Sequence, residues 1–456
     1  MRWKSYFNRI GSLGCLIAMM SGSVQAQQES PDVVRHILDR LDALDRQNQA
    51  LLNEVHALRE EIKASRVAAA PQTDAASQKR PLDERLGVAE QRIKEQAQTK
   101  VESSQRFPIT LNGMLLFDAF LNSREPSSYG QSDAYGPYGA YGGATLRQSI
   151  LGLEFRGPHL PRDGRVHGSL SMDFFAENPT SDNVFRIRTG VLSFDWTRRS
   201  LTVGQDKSII APLQPTSFAR VGIPPLSGAG NLWLWRPQIR YEERIPIATN
   251  TQAILQLGLV QTDETYSLAY VPSDVPLETS RPAVQARVEL RHQWQDEPRV
   301  AVGFGFHSSE SHILGRSVDS RVISGDLFLK PLRKLEFTGT LFRGQNFANI
   351  GGGPPGITVT DQYIPIPIHG TGGWMQLAFP VTNRLTFDLY GGRQLNDARD
   401  LVSPAILRTF TYAGNVLYHL GPNVIVGLEA SQERLAYLDL HQRLTNRYDA
   451  SVAYLF

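Results

Sequence analysis

From Phe107 to the end, the chain is a series of short segments in which apolar and polar residues alternate. In residues 166–174 the even positions are apolar or glycine and the odd positions are polar, and residues 284–291 and 335–341 alternate in the same way. A period of two with one apolar face is typical of a half-buried β-strand. We count about sixteen such segments of about ten residues, the length with which a tilted strand crosses a bilayer.

The predicted strands cover this part of the chain from Ile109 onward, and the one from Val184 to Trp196 is expected to contain a β-bulge. Their predicted starts lie near Ile109, Leu146, Val166, Val184, Leu201, Leu234, Gln252, Val284, Val300, Val322, Leu335, Trp374, Leu385, Thr409, Val424 and Thr445.

The connections between these strands alternate between long and short. The long ones include residues 122–143, 206–231, 262–280 and 344–371, and the short ones include residues 196–198, 295–298, 330–333 and 421–423. Transmembrane barrels have short periplasmic turns and long extracellular loops. The predicted fold is therefore an all-β transmembrane barrel of about sixteen antiparallel strands, with both ends of the chain on the periplasmic side.

Residues 33–62 have a different period, with apolar positions separated alternately by three and four residues. The seam consists of Val34, Ile37, Leu41, Leu44, Asn48, Leu51, Val55, Leu58 and Ile62. So narrow a stripe favours a coiled coil between partner helices, and the alternative is one amphipathic helix packed on the protein's own body. Asn48 is polar on this seam, which fixes register and, taken alone, favours a dimer.

The first 26 residues have the pattern of a secretory signal peptide. Arg2, Lys4 and Arg9 precede a short apolar run, and a small-residue site predicts cleavage after Ala26. The only cysteine, Cys15, lies inside this signal, and lipidation there is the less favoured alternative. The mature chain then has no disulfide and no thiolate metal site.

Four regions follow from these patterns: a signal peptide at 1–26, a periplasmic coiled coil at 27–63, a linker with a weak helix at 64–106, and an outer-membrane barrel at 107–456. The net charge of +2 gives no indication of a nucleic-acid partner. The mature chain has no apolar run of the ~20 residues that a membrane helix needs.

Motifs for catalysis, metal binding or cofactor binding are missing from the sequence. It has no Gly-x-Ser-x-Gly elbow, no His-Glu-x-x-His helix and no phosphate-binding loop, so we expect neither an enzyme nor a cofactor. The spacing of His307 and His312 does not fit a metal site, and we interpret both as solvated histidines. The glycine-rich residues 351–356 are interpreted as a flexible surface loop.

If the apolar faces of the strands contact lipid, the polar faces line a water-filled lumen. The inward residues predicted to set selectivity are Arg186, Arg188, Arg236, Gln238, Arg240, Arg287, Arg291, Asp173, Glu242 and Glu289. An excess of arginine on one wall favours anions, so these residues predict a basic ladder. The alternative is that the arginines pair with the carboxylates or with an infolded loop and only maintain shape.

The connection between the fifth and sixth strands is apolar and rich in proline, including Pro212, Pro215, Phe218 and Pro225. Such a loop should be buried, and the barrel interior is the space available. We therefore interpret it as a constriction loop, with packing on a neighbouring subunit as the alternative.

The chain ends in Phe456, with Tyr454 on the same face of the last strand. A terminal aromatic residue after alternating apolar residues resembles the signal recognised by the barrel assembly machinery. The alternative is an ordinary amphipathic strand.

Arg186-Ile187-Arg188, Val203-Gly204-Gln205-Asp206 and the run from Arg236 to Tyr241 follow one another in order, after an N-terminal coiled coil. This arrangement resembles the DcaP-like trimeric porins of Gram-negative bacteria. The resemblance implies a homotrimer in the outer membrane and passive uptake of small, preferentially anionic solutes such as dicarboxylic acids.

Two other functions stay open at this point. Sugar-specific porins with coiled-coil extensions are the nearest rival, with Trp233, Trp235 and Trp374 as candidates for an aromatic track, although alternation places Trp233 and Trp235 towards lipid. The second is a structural tether, in which the barrel is only an anchor and the coil binds cell wall or a partner.

Overall fold

A computed structural model describes residues 109–124, 138–176, 184–264, 266–267, 277–278, 280–294, 297–439 and 441–456. The predicted signal peptide, coiled coil and linker lie outside the described residues, so these three regions stay predictions.

The described residues form a closed antiparallel barrel of sixteen strands, the second of which is interrupted. The strands are β1 (Ile109–Arg124), β2 (Tyr138–Thr145 and Ile150–Leu160), β3 (Gly164–Asp173), β4 (Arg186–Asp195), β5 (Arg199–Lys207), β6 (Trp235–Ala248), β7 (Thr251–Asp263), β8 (Ser280–Trp294), β9 (Glu297–Ile313), β10 (Arg316–Leu332), β11 (Leu335–Gln345), β12 (His369–Pro380), β13 (Leu385–Asn396), β14 (Ile406–His419), β15 (Val424–Tyr437) and β16 (Gln442–Leu455).

Short elements lie in the loops. They are the strands Tyr266–Ser267, Leu277–Glu278, Ile357–Val359 and Pro365–Pro367, and the 3-10 helices Ala348–Ile350 and Ala398–Asp400. No helix among the described residues is long and apolar enough to cross a membrane.

Each strand pairs with its sequence neighbours, and β16 pairs with β1 to close the barrel. The last residue takes part in this closure, because the backbone N–H of Gly113 donates to the carbonyl oxygen of Phe456 at 2.9 Å. Tyr454 and Phe456 are both exposed on the outer face, with stacked rings whose centroids are 6.4 Å apart.

Thirteen predicted starts lie within four residues of the observed ones, β10 and β12 begin six and five residues earlier than predicted, and the second strand differs most. That strand begins at Tyr138, inside the predicted long loop, and residues 146–149 interrupt it where they leave the regular pairing. The predicted bulge in β4 is confirmed, since the register with β3 shifts between Ser171 and Met172.

Short turns lie at the end of the barrel that holds the chain terminus, and long loops lie at the other end, as predicted. Two loops depart from this pattern, because Leu314 and Gly315 alone connect β9 to β10 and residues 438–441 alone connect β15 to β16. The outer face is a band of exposed leucine, valine, isoleucine and phenylalanine. The residues that alternate with them along each strand face inward and are mostly buried or half-buried. This is the arrangement of a barrel whose outside contacts lipid.

Candidate functional site: the lumen and its inner loop

Residues 208–234, between β5 and β6, fold into the barrel and are termed the inner loop. Ile210, Leu226 and Leu232 are almost fully buried there. Of the four residues predicted for a constriction loop, Pro215 and Pro225 are buried, while Pro212 and Phe218 are half-buried. The barrel interior therefore buries this apolar segment.

Polar wall residues hold the first half of the inner loop. The Oε1 atom of Gln285 on β8 accepts from the N–H of Ile209 at 2.9 Å, and Ser324 Oγ on β10 donates to Ile210 O at 2.6 Å. Further round the wall, Gln376 on β12 accepts from Thr216 N at 2.7 Å, Asn415 on β14 donates to Thr216 O at 2.9 Å, and Glu429 on β15 accepts from Ser217 Oγ at 2.6 Å.

The second half is held from β2 and β4. Gln148 Oε1 accepts from Val221 N at 2.7 Å and from Gly222 N at 2.8 Å. Arg188 donates to Val221 O at 2.7 Å, and Arg186 donates to Gly222 O at 2.6 Å. Because β4 and β12 are on opposite sides of a sixteen-strand barrel, these contacts fix the loop on both sides of the lumen and narrow it.

A second loop, residues 346–368, also folds inward. Phe347 and Ile350 pack with Ile210 of the inner loop, and Gly351 and Gly352 are buried. The prediction of a flexible surface loop at residues 351–356 is therefore wrong for its first half. The apolar flanking residues provide burial that a glycine count does not indicate.

His307 is fully buried, so the prediction of a solvated side chain is wrong for this residue. Its Nδ1 is 3.1 Å from Gln285 Nε2, and its Nε2 is 3.1 Å from Ser320 Oγ, which donates to Asn346 O at 2.8 Å. These bonds connect the wall residue that holds the start of the inner loop with the start of the second loop.

Glu264, just after β7, places a buried carboxyl group beside the second loop. Its carboxylate accepts from Ser311 Oγ at 2.8 Å and from Asn346 Nδ2 at 2.7 Å. Burial raises the pKa of the Glu264 carboxyl, and the hydrogen bonds from these neutral donors only partly oppose the increase.

Arg186 and Arg188 lie together in the lumen, where both bind the fully buried Asp173. The distances to Asp173 Oδ2 are 2.6 Å from Arg186 and 3.0 Å from Arg188. The bulge in β4 lies at this point, so that two arginines separated by one residue contact the same carboxylate. Both guanidiniums also lie near the Trp235 ring, at 5.3 and 4.6 Å from its centroid.

The other predicted inward arginines each have a carboxylate partner as well. The pairs are Arg236–Asp263 at 2.6 Å, Arg240–Asp206 at 3.2 Å, Arg287–Asp326 at 2.7 Å, Arg287–Glu289 at 2.6 Å and Arg291–Glu289 at 2.7 Å. Gln238 donates to Lys207 O at 2.8 Å, and Glu242 pairs with Arg244 at 2.8 Å.

Because of these contacts, the predicted arginines are not a continuous row of unneutralised positive charges. The arginines from Arg236 to Arg291 are matched by an equal number of carboxylates, whereas Arg186 and Arg188 share one. The excess positive charge of the predicted set therefore lies at Asp173, beside the inner loop. Alternation along a strand gives the direction of a side chain but not its cross-strand partner.

Sequence reasoning did not identify a second charged cluster, on β1 and β16. Arg447 Nη2 is 2.6 Å from Asp449 Oδ1 and 3.3 Å from Asp118 Oδ2, and all three side chains are almost fully buried. Gln148, which holds the inner loop, also lies 3.4 Å from Asp118. Alternation along the strands predicts that these three side chains face inward, but it predicts the same for many other polar residues.

The three tryptophans considered for a sugar track do not form one. Trp374 is buried beneath Leu226 and Ala229 of the inner loop. Trp235 contacts the Arg186 and Arg188 guanidiniums, so the expectation that it faces lipid is wrong. Trp233 packs edge-on against Trp235, with ring centroids 5.3 Å apart. Among the described residues, no group of three His, Cys, Asp or Glu side chains is arranged to hold a metal ion.

No protein-family model matches the chain, and no curated protein matches its sequence. Its fold does match solved structures. The outer membrane channel DcaP of Acinetobacter baumannii superimposes with a TM-score of 0.63 at 18% identity, over 76% of this chain and 97% of that one. The anion-selective porin from Comamonas acidovorans gives a TM-score of 0.50 at 13% identity, over 76% and 99%. The chain therefore has the barrel fold of the DcaP channel, and the predicted resemblance is confirmed at the level of fold.

Proposed function

We propose that the protein is an outer-membrane porin through which small solutes diffuse passively. The observation that carries this proposal is the inner loop, which is fastened to opposite sides of a sixteen-strand barrel. Barrels of this size leave an aqueous channel, and a loop fixed across the lumen reduces its width to a size that selects among solutes. Its polar anchors support a permanent constriction.

We further propose a preference for anions, set at Arg186 and Arg188. Two guanidiniums share the single carboxylate of Asp173, so one positive charge is not neutralised within this cluster. It lies beside the inner loop, where the lumen is narrow and screening by bulk water is incomplete. A dicarboxylate fits this chemistry, because guanidinium binds carboxylate in a fork while weak binding still permits release.

Single-channel recordings in planar bilayers test both statements. We expect open channels whose reversal potential in a salt gradient indicates anion preference. Arg188→Gln should reduce this preference. Gln148→Ala is the matched control, because it removes contacts to the same loop residues, Val221 and Gly222, without changing charge.

Each outcome of these recordings has a defined meaning. A shift in reversal potential in Arg188→Gln but not in Gln148→Ala supports a charge effect. An equal shift in both would show that loop position sets selectivity, which contradicts the role proposed for the arginine. A silent barrel would contradict the porin proposal and favour the structural tether.

We also propose that the barrel assembles as a homotrimer in the outer membrane, with residues 27–63 as a periplasmic coiled coil on the three-fold axis. The apolar outer wall supports membrane location and lateral packing, and the outward Tyr454 and Phe456 support recognition by the barrel assembly machinery. Deleting residues 27–106 should weaken the trimer but leave a conducting barrel. A truncated chain that cannot fold would contradict this division of roles.

A further inference from the structure

The outer wall carries four exposed arginines near the loop ends of neighbouring strands, termed the outer arginine row. They are Arg343 on β11, Arg393 on β13, Arg408 on β14 and Arg434 on β15. Phe410 on β14 pairs with Arg393 on one side and with Arg434 on the other, so these two arginines are at the same height on the wall. Arg408 is diagonal to both. At about 4.8 Å between strands, the row extends over about 20 Å.

This row has no counter-charge in the part of the chain that the structure describes: none of its four guanidiniums is within 4.0 Å of a carboxylate there. Other exposed arginines are paired, as in Arg199–Glu243 at 3.0 Å and Arg321–Asp319 at 2.7 Å. Arg434 is oriented by Gln432, whose Oε1 accepts from its Nε at 2.7 Å and from Tyr412 OH at 2.9 Å.

Next to the row, on the turn side, lies an apolar groove of about 480 Å³, termed the glycine groove. Its floor includes Gly373 and Gly391 on the adjacent strands β12 and β13, which carry no side chain to fill the wall. Leu341, Met375 and Leu389 form its sides and are each more than half exposed. The groove is therefore open towards the surroundings of the barrel.

We propose that this surface binds a phosphorylated, multiply acylated glycolipid of the outer leaflet. The outer arginine row lies at the upper rim of the apolar band, where lipid phosphates are located, and the glycine groove accepts an acyl chain directly beneath. Guanidinium binds phosphate in a bidentate fork, and basic residues at a charged membrane surface strengthen binding.

The pattern of charge favours a lipid over a second copy of the chain. An identical row on a facing copy would repel this one, whereas phosphates attract it. The proposal rests on the outer-membrane location proposed above, but not on conduction, because the four side chains are outside the lumen.

The test is native mass spectrometry of the purified full chain, titrated with bisphosphorylated lipid A. We expect binding to be weakened at least about tenfold when all four row residues are changed to glutamine. The matched control changes four exposed arginines of the turn end to glutamine. These are Arg162, Arg198, Arg333 and Arg384. Gly391→Leu, which fills the groove and keeps the arginines, should also weaken binding.

Dephosphorylated lipid A and inorganic phosphate separate the two halves of the site, and each should bind more weakly than intact lipid A. Equal binding by the row variant and the unmodified chain would overturn the proposal, as would an equal loss in the turn-end control. A change of oligomeric state without loss of lipid would overturn it in favour of a second copy. The row variant should conduct normally in bilayers, so failure here leaves the porin proposal intact.

Discussion

Two clusters of ionisable side chains flank the same stretch of the inner loop, and their compositions are opposite. On β3 and β4, Arg186 and Arg188 share Asp173. On β1 and β16, Asp118 and Asp449 share Arg447. In both clusters the guanidinium also lies over an aromatic ring, Trp235 in the first and Phe120 in the second.

The difference in composition shows that arginine is in excess on one side of this stretch and carboxyl groups are in excess on the other. Gln148 lies between the clusters, because it contacts Asp118 and also holds Val221 and Gly222. The arginine-rich cluster therefore lies on one side of Gln148, and the carboxylate-rich cluster lies on the other. Each cluster has one side chain that the other two share, Asp173 in the first and Arg447 in the second. Stability should depend most on this shared side chain.

The largest effect is expected from Arg447→Met. This change removes the guanidinium that Asp118 and Asp449 share, and removing one partner of a buried pair costs about 3–5 kcal/mol. The free energy of unfolding in detergent micelles, measured by urea titration, should fall by this amount. Arg434→Gln, on the adjacent strand but facing outward, is the control and should leave it almost unchanged. A loss below about 1 kcal/mol in Arg447→Met would contradict the importance of Arg447 as the shared partner.

A smaller loss is expected from Asp173→Asn, because Arg186 and Arg188 retain partial contact with water. Losing charge-assisted hydrogen bonds of this kind costs about 1.5–3 kcal/mol. The same change leaves two unneutralised guanidiniums beside the loop, so anion preference should increase. Urea titration and the reversal potential in a salt gradient measure the two effects. An unchanged reversal potential would show that solutes do not sense this cluster.

Removing one of the two side chains that share a partner should cost much less. Asp118→Asn leaves the Arg447–Asp449 pair intact and replaces one of two adjacent buried carboxyl groups. The free energy of unfolding should change by less than about 1 kcal/mol, measured in parallel with Arg447→Met. A loss equal to that of Arg447→Met would mean that the cluster acts as one indivisible unit.

Most of the barrel could be predicted from sequence because alternation and loop length are local signals. All strands other than β2, β10 and β12 begin within four residues of their predicted starts, and the bulge in β4 was also expected. The start of β2 at Tyr138 was missed, because its glycine- and alanine-rich residues 139–144 have no polar and apolar alternation to read. Pairing with β1 maintains that segment as a strand.

The candidate site was less accessible to sequence reasoning. Parity placed Arg287 and Glu289 on one face, but the bond from Arg287 to Asp326 joins residues 39 positions apart. Gln285, Gln376 and Asn415 were missed as anchors of the inner loop. Their partners are backbone groups of a loop with irregular conformation, and no periodic pattern specifies such contacts.

The smallest effect concerns Glu264, which extends the comparison to a buried carboxylate whose hydrogen bonds come from neutral donors. Because burial raises the pKa of this carboxyl in the folded barrel, its contribution to stability is largest when it is protonated. This contribution should be complete below the ordinary glutamate pKa of about 4.3 and be lost as pH rises through the higher folded value.

Glu264→Gln keeps the shape and removes the titration. At neutral pH, the backbone amides of residues 346–352 should therefore be protected from hydrogen exchange more strongly in this variant than in wild-type protein, by about 1 kcal/mol or less. At pH 4 the protection should be equal. Hydrogen exchange at the two pH values measures this difference. Asp397→Asn is the control in another loop, since the hydrogen bonds from Arg399 lower the pKa of Asp397 to about 2 and oppose protonation across this range. Weaker protection of residues 346–352 in Glu264→Gln at neutral pH would show that the charged carboxylate stabilises the second loop, which reverses the sign expected from burial.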